Sequence, residues 1–209
     1  MIVAIDGPAG AGKSTVARRL AESLGFRYLD TGAMYRALTW LAIERGLPLG
    51  DPDRLAALAG EVQVTFDGLR VFIGGTDVTS SIRKPRIDRM VPVVARHQAV
   101  RRVMRVRQRE LADEGNVVIE GRDIGTVVAP DAAVKIYLVA ETGERARRRM
   151  AERPGIGADA LATDLRLRDE SDAAQMRPAP DAELIDTTTL SVDDVVARVE
   201  ELVRSRQPV

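Results

Sequence analysis

The stretch Ile2-Val3-Ala4-Ile5-Asp6-Gly7-Pro8-Ala9-Gly10-Ala11-Gly12-Lys13-Ser14-Thr15 governs how the rest of the chain is read. A short apolar run ends in a glycine-rich turn, and the turn opens the helical pattern Val16-Ala17-Arg18-Arg19-Leu20-Ala21-Glu22-Ser23-Leu24. Read as G-x-x-x-x-G-K-[ST], the glycines let successive backbone N–H groups turn inward onto phosphate oxygens, and the helix that follows adds partial positive charge. The spacing implies a triphosphate cradle formed by Gly7, Pro8, Ala9, Gly10, Ala11, Gly12, Lys13, Ser14 and Thr15. Lys13 is expected to reach the β- and γ-phosphates of ATP, and the Ser14 hydroxyl to ligate a Mg²⁺ that bridges them. A purely structural glycine turn is the plain alternative; the strand before and the helix after argue against it.

Outward from this loop, apolar runs alternate with helical stretches. Ile2 to Ile5, Tyr28 to Asp30, Val117 to Ile119, Val134 to Val139 and Glu183 to Ile185 read as strands of a parallel sheet. Helices are expected over Lys13 to Leu24, Ala33 to Arg45, Arg86 to Leu111 with a break near His97, Gly143 to Glu152 and Val192 to Arg204. Thr142 and Ser191 are suited to cap the last two. A different texture runs from Val62 to Val78, where period-two alternation is split by Asp67-Gly68 and Gly74-Gly75; this predicts a small antiparallel meander. Such an insert can hold a second substrate or be a decorative excursion, and the pattern alone supports both equally.

The 209 residues suffice for one α/β domain with appended lobes. Basic and acidic residues number 31 each, so no whole-molecule field draws the chain to nucleic acid or to acidic membranes. Small-molecule partners and a monomer are expected. There is no cysteine, no run near the roughly 18 apolar residues of a membrane span, and no charged leader before Ile2, so a cytosolic location is expected. Only Lys13, Lys84 and Lys135 are lysines; arginine supplies the other 28 positive charges. Its planar fork suits phosphate, although genome bias accounts for most of them equally well.

Phosphoryl transfer needs two substrates held in line and positive charge around the moving group. Arginines placed for this follow Asp30-Thr31-Gly32 (Tyr35-Arg36), follow the third strand (Arg122-Asp123), and flank Arg153-Pro154-Gly155-Ile156-Gly157-Ala158-Asp159, which reads as the tip of a mobile flap. Around that flap stand Arg145, Arg148, Arg149, Arg153, Arg166 and Arg168. Arg145, Arg148, Arg149 and Glu152 fall at i, i+3, i+4 and i+7, on one helix face, where a solvated charged face would look the same. Arg148 is assigned to the triphosphate and Arg149, with Lys13 and Arg122, to the reacting phosphoryl. Glu120-Gly121-Arg122-Asp123 ends a central strand, where open parallel sheets bind ligands; a structural Arg-Asp pair is the alternative. His97, the sole histidine, has no carboxylate or thiol neighbour in sequence and reads as a helix-end or surface residue, and Trp40 and Phe26 read as packing residues.

Taken together, Ile5 to Thr15, Leu29-Asp30-Thr31-Gly32-Ala33-Met34-Tyr35-Arg36 and Gly121-Arg122-Asp123-Ile124-Gly125-Thr126-Val127-Val128 resemble the bacterial cytidylate kinases. The likeness continues through Pro130 to Leu138, Glu144 to Arg149 and Asp186 to Ser191. It implies an α/β P-loop kinase core with a five-stranded parallel sheet flanked by helices, a small antiparallel β insert and a short helical lid. The core would cover about residues 1–40, 112–145 and 180–209, the monophosphate-binding insert about 41–111 and the lid about 146–179. The implied activity converts ATP and CMP or dCMP to ADP and CDP or dCDP, with Mg²⁺ and weaker use of UMP. By that likeness Thr31, Tyr35, Arg36 and Arg122 serve the acceptor, Arg101 and Asp123 the cytosine, and Arg168 and Asp172 the sugar. A carboxylate facing the cytosine amino group repels uracil, which presents an acceptor there. Pro92 stands where the family usually has a base-contacting serine, and Ala173-Ala174-Gln175-Met176-Arg177-Pro178 is shorter than its counterpart, leaving Gln175 or Arg177 to replace a missing arginine. A kinase for another small acceptor is the nearest rival; a nucleotide-binding switch would share the loop, but no Asn-Lys-x-Asp motif is present.

Overall fold

The computed structural model describes residues 1–152, 157–173 and 175–206. In chain order the elements are β1 (Ile2–Asp6), α1 (Lys13–Leu24), β2 (Arg27–Asp30), α2 (Thr31–Glu44), α3 (Pro52–Glu61), β3 (Val64–Asp67), β4 (Arg70–Ile73), β5 (Thr76–Asp77), α4 (Pro85–Ala95), α5 (Gln98–Asp113), β6 (Val117–Glu120), β7 (Val134–Val139), α6 (Thr142–Glu152), α7 (Ala158–Asp172), β8 (Glu183–Asp186) and α8 (Val192–Arg206). They fall into two compact units, Met1–Tyr28 with Ala112–Val209, and Leu29–Leu111.

In the first unit the parallel sheet has the order β2-β6-β1-β7-β8. The inner strands are short and apolar, and β1 from Val3 to Asp6 and all four residues of β6 are buried. Register pairs Ile5 with Glu120 on one side and with Ile136 on the other, which brings Asp6-Gly7 and Gly121-Arg122-Asp123 out at the same end of the sheet. The core joins Val3, Ile5, Val118, Ile136, Leu138 and Ile185 to Val16 and Leu20 of α1 and to Val195, Val199 and Val203 of α8. The four-residue steps in α8 are what place one apolar stripe on the sheet. At its start Ser191 and Asp194 cap reciprocally: Ser191 Oγ accepts from the Asp194 amide at 3.1 Å while Asp194 Oδ2 accepts from the Ser191 amide at 3.2 Å. Thr142 lies just inside α6, and its hydroxyl accepts from the Arg145 guanidinium at 3.3 Å. Phe26 packs against this core.

In the second unit Asp30 caps α2, its Oδ1 accepting from the Ala33 amide at 2.8 Å, so the helix starts at Thr31, two residues before its apolar pattern begins. The meander forms as expected: β3 and β4 pair antiparallel, β5 follows, and the turns fall at Gly68-Leu69 and Gly74-Gly75. Val71 and Ile73 point inward to meet Ala33, Ala37, Val78 and Ile82, with Trp40 packed on them. The long helical pattern breaks at Arg96-His97, where the His97 ring nitrogen lies 2.8 Å from the Leu49 carbonyl oxygen, a helix-end role. Among the described residues no helix is long and apolar enough to cross a membrane.

Candidate active site

Between β1 and α1 the chain turns sharply, and its glycines are where side chains have no room. A Cβ on Gly7 (φ +143°) would fall 2.2 Å from the Leu138 carbonyl oxygen, and Gly12 enters α1 at φ +93°. The loop's carbonyls are each held by a side chain, one after another. Gly7 O accepts from Arg122 Nη1 (3.0 Å), Pro8 O from Lys13 Nζ (2.8 Å), Ala9 O from Arg145 Nη1 (3.1 Å), Gly10 O from Arg148 Nη1 (3.5 Å) and Ala11 O from Thr187 Oγ1 (3.1 Å). Within the loop the Ala11 amide donates to the Pro8 carbonyl at 3.4 Å, and α1, starting at Lys13, leaves its first amides without partners inside the helix. The result is an anion nest braced by cations.

Those cations are themselves constrained. Arg122 Nη2 lies 3.1 Å from Asp172 Oδ2, so two residues assigned to the acceptor's phosphate and sugar pair with each other. Burial, reinforced by the Arg122 guanidinium, pushes the Lys13 ammonium well below its ordinary range. Glu120, Asp6 and Asp172 oppose that shift. Asp6, the last residue of β1, is buried, and its two oxygens accept from the amides of Ile124 and Gly125, each at 2.8 Å. Burial outweighs these bonds and raises the Asp6 carboxyl to about 6. The two bonds pin a π-helical turn, Ile124–Val128, that directly follows Arg122-Asp123. Ser14 sits in the first turn of α1, partly exposed, and among the described residues its hydroxyl makes no hydrogen bond. A hard oxygen beside a phosphate nest fits Mg²⁺, which takes few protein ligands and fills the rest of its octahedron with phosphate oxygens and water. No cluster of three or more His, Cys, Asp or Glu among the described residues could hold a metal by itself.

The arginines of α6 divide in a way that spacing did not reveal. Arg145, expected on a phosphate-facing stripe, is instead buried: its fork grips Asp169 Oδ1 and Oδ2 at 3.1 and 2.7 Å and braces the loop through Ala9 O. Arg145 is therefore a structural tie between α6, α7 and the loop. Arg148 lies along the loop, donating to Thr187 Oγ1 at 3.0 Å and to Thr187 O at 2.6 Å, with its Nε on Glu144 at 2.8 Å. Arg147 and Arg148 together hold the Glu144 carboxyl down at about 2. Arg149 is half-buried on the same helix, and Arg168 pairs along α7 with Asp164 at 3.3 Å. Arg166 is exposed. The flap tip at Arg153, Pro154, Gly155 and Ile156, the Glu152 side chain and Ala174 lie outside the described residues. Gln175 follows α7, its amide donating to the Asp172 carbonyl at 2.8 Å, and Arg177 is exposed.

The second unit gathers the other expected residues around the start of α2. Arg36 Nη1 is 3.9 Å from Asp30 Oδ1 and its Nε 3.6 Å from Asp88 Oδ1, while Arg83 Nη2 donates to Asp30 Oδ2 at 3.1 Å. Asp30 and Asp88 are buried, so the Arg36 fork is held between two carboxylates. The Arg101 guanidinium stacks 5.9 Å from the centre of the Tyr35 ring and donates to the Ala95 carbonyl at 3.2 Å. Thr31 is the buried first residue of α2. Pro92 lies inside α4, where it can offer neither a hydroxyl nor an N–H. Sequence reading missed Asp88 and Arg83 here and Asp169 and Thr187 in the first unit. None lies in a recognisable motif with its partner; an acid isolated among bases, as Asp88 is between Arg86 and Arg89, was the only signal.

A parallel sheet whose first strand runs into a braced anion nest defines the phosphate-loop kinases as a structural class. The fold agrees: shikimate kinase from Bacteroides thetaiotaomicron superposes with a TM-score of 0.53 at 18% identity, covering 98% of each chain. The family model for cytidylate kinase matches residues 3–205, and the chain belongs to the cytidylate kinase family. It is 46% identical over 219 residues to the cytidylate kinase of Shouchella clausii, covering 98% of this chain and 97% of that one. It is also 45% identical over 218 residues to a bifunctional pantoate ligase/cytidylate kinase of Synechococcus, strain JA-2-3B'a(2-13), of which the match covers 97% of this chain and 40% of the relative. The chain thus spans about two fifths of that longer relative's length.

Proposed function

We propose that this chain transfers the γ-phosphoryl of ATP to CMP or dCMP, giving ADP and CDP or dCDP, as a monomer in the cytoplasm. The observation that carries the reading is the phosphate loop with its carbonyls tied back by side chains just before the open first turn of α1, in a member of this family. A preorganised nest meets developing charge without reorganising at the moment of transfer. Residues 41–111 would be the monophosphate-binding insert and about 146–179 the lid, with the remainder as core. Lys13 and Arg148 bind the triphosphate in the nest, and Arg149 and Arg122 neutralise the moving phosphoryl. Thr31, Tyr35 and Arg36, with Arg122, orient the acceptor phosphate; Arg101 and Asp123 face the cytosine, and Arg168 and Asp172 the sugar. Asp172 leaves Arg122 when the acceptor phosphate takes its place. Mg²⁺, held in part by Ser14, supplies charge neutralisation on the β- and γ-oxygens when bound.

The test is an ADP-release assay with the purified chain across CMP, dCMP, UMP, AMP and shikimate. Turnover with CMP and dCMP well above UMP, and none with AMP or shikimate, is expected. Preference for another acceptor would replace the substrate assignment, and slow ATP hydrolysis indifferent to every acceptor would overturn transfer itself.

A further inference from the structure

Of the side-chain donors that tie back the phosphate loop among the described residues, four are cations and one is neutral. The neutral one, Thr187, follows β8 and is buried at 3% exposure. Its hydroxyl oxygen lies 3.1 Å from both Ala11 O and Val139 O, so its single proton is shared between the loop and the end of β7. The same oxygen accepts from Arg148 Nη1 at 3.0 Å, and the Thr187 carbonyl accepts from Arg148 Nη2 at 2.6 Å. Thr187 is itself fixed, since its amide donates to Val139 O at 2.8 Å. Arg148 therefore has both terminal nitrogens on one threonine and its Nε on Glu144 at 2.8 Å, which leaves the fork little freedom beside Gly10 and Gly12.

We propose that Thr187 is a positioning residue for ATP binding: its hydroxyl fixes the Ala11 carbonyl, and with it the direction of the following loop amides, while it and its own carbonyl aim the Arg148 guanidinium at the triphosphate. The physical case is local. The Ala11 peptide can turn its N–H side to a phosphate only while its oxygen is satisfied on the other side, and a buried carbonyl without a donor would twist toward water. An arginine fork preset by two hydrogen bonds and an ion pair loses less freedom on meeting phosphate than a mobile one. Thr187 touches neither substrate in this scheme and acts through the loop and Arg148. The inference rests on the loop being an ATP site but not on the identity of the acceptor.

The experiment is titration calorimetry of ATP, and separately of CMP, on the full chain carrying Thr187→Val, Thr187→Cys or Thr187→Ser. Valine keeps the branched shape without the hydroxyl, cysteine offers a weak donor, and serine keeps the hydroxyl. The ATP dissociation constant is expected to rise about tenfold for valine, less for cysteine and under about twofold for serine, with CMP affinity unchanged throughout. If the valine variant fails to fold, the order of serine and cysteine decides. Wild-type ATP affinity in a folded valine variant, equal weakening of ATP and CMP, or no rescue by serine each overturns the positioning role. Absence of CMP turnover in the wild type would instead sink the proposed function and leave this result standing.

Discussion

At Asp6 a carboxylate is buried at the end of a central strand, where two amide bonds and the Lys13 charge favour its ionised form, and burial still wins, raising it to about 6. The sign of its effect on stability follows. Because the folded value lies above the unfolded one near 3.8, the native state binds the proton more tightly; the contribution is full below the unfolded value and is lost as pH rises through 6. The melting free energy of the wild type relative to Asp6→Asn is expected to improve by about 1 kcal/mol between pH 7 and pH 5. Denaturant melts of both proteins across that window measure it, and a flat difference would show that Asp6 does not titrate there. Residue-level reading of the sequence reached the motif residues, because Gly7, Gly12, Lys13 and Ser14 stand in one short run. It did not reach Thr187 or Asp169, because their partners Ala11 and Arg145 lie 176 and 24 positions away and nothing local marks the pairing.

Among the elements, the strands and the meander were legible for simple reasons: apolar runs bounded by breakers, and alternation cut by Asp-Gly and Gly-Gly. Helix α3 was overlooked although its signal was present. Asp51 caps it, its Oδ1 accepting from the Arg54 amide at 3.1 Å, Pro52 opens it, and Leu55, Leu58 and Ala59 recur at helical spacing. The π turn at Ile124–Val128 could not have been read locally, since its glycine and β-branched residues favour no helix and its amides are held by Asp6 from β1. Periodicity put Arg145 on one face with Arg148, and both reach the phosphate loop, but helical spacing could not show that Arg145 is also tied to Asp169. The α6–α7 pairing gives a direct test. Asp169→Asn leaves the buried Arg145 fork partly uncompensated and is expected to cost about 2 kcal/mol, discounted for the partial exposure of Asp169, or roughly 4–8 °C in melting temperature. Arg145→Met with Asp169→Leu, which buries no charge, should recover part of that loss. An Asp169→Asn variant as stable as the wild type would remove the tie.

For the whole molecule, a cancelled net charge coexists with concentrated local charge: the chain carries equal numbers of acids and bases, yet several of its arginines brace a single loop. That is the signature of recognition by placement and not by a long-range field. Composition showed only a balanced net charge, and the resemblance across nearly the full chain supplied the family; the division of labour among arginines came only with the fold. In the proposed function the braced loop and Lys13 hold the triphosphate for transfer. Lys13→Met tests it most directly in the CMP-dependent ADP-release assay, run alongside thermal melting. Turnover should fall by about a thousandfold or more with the melting temperature shifted by only a few degrees. A folded Lys13→Met enzyme that kept most of its turnover would contradict it.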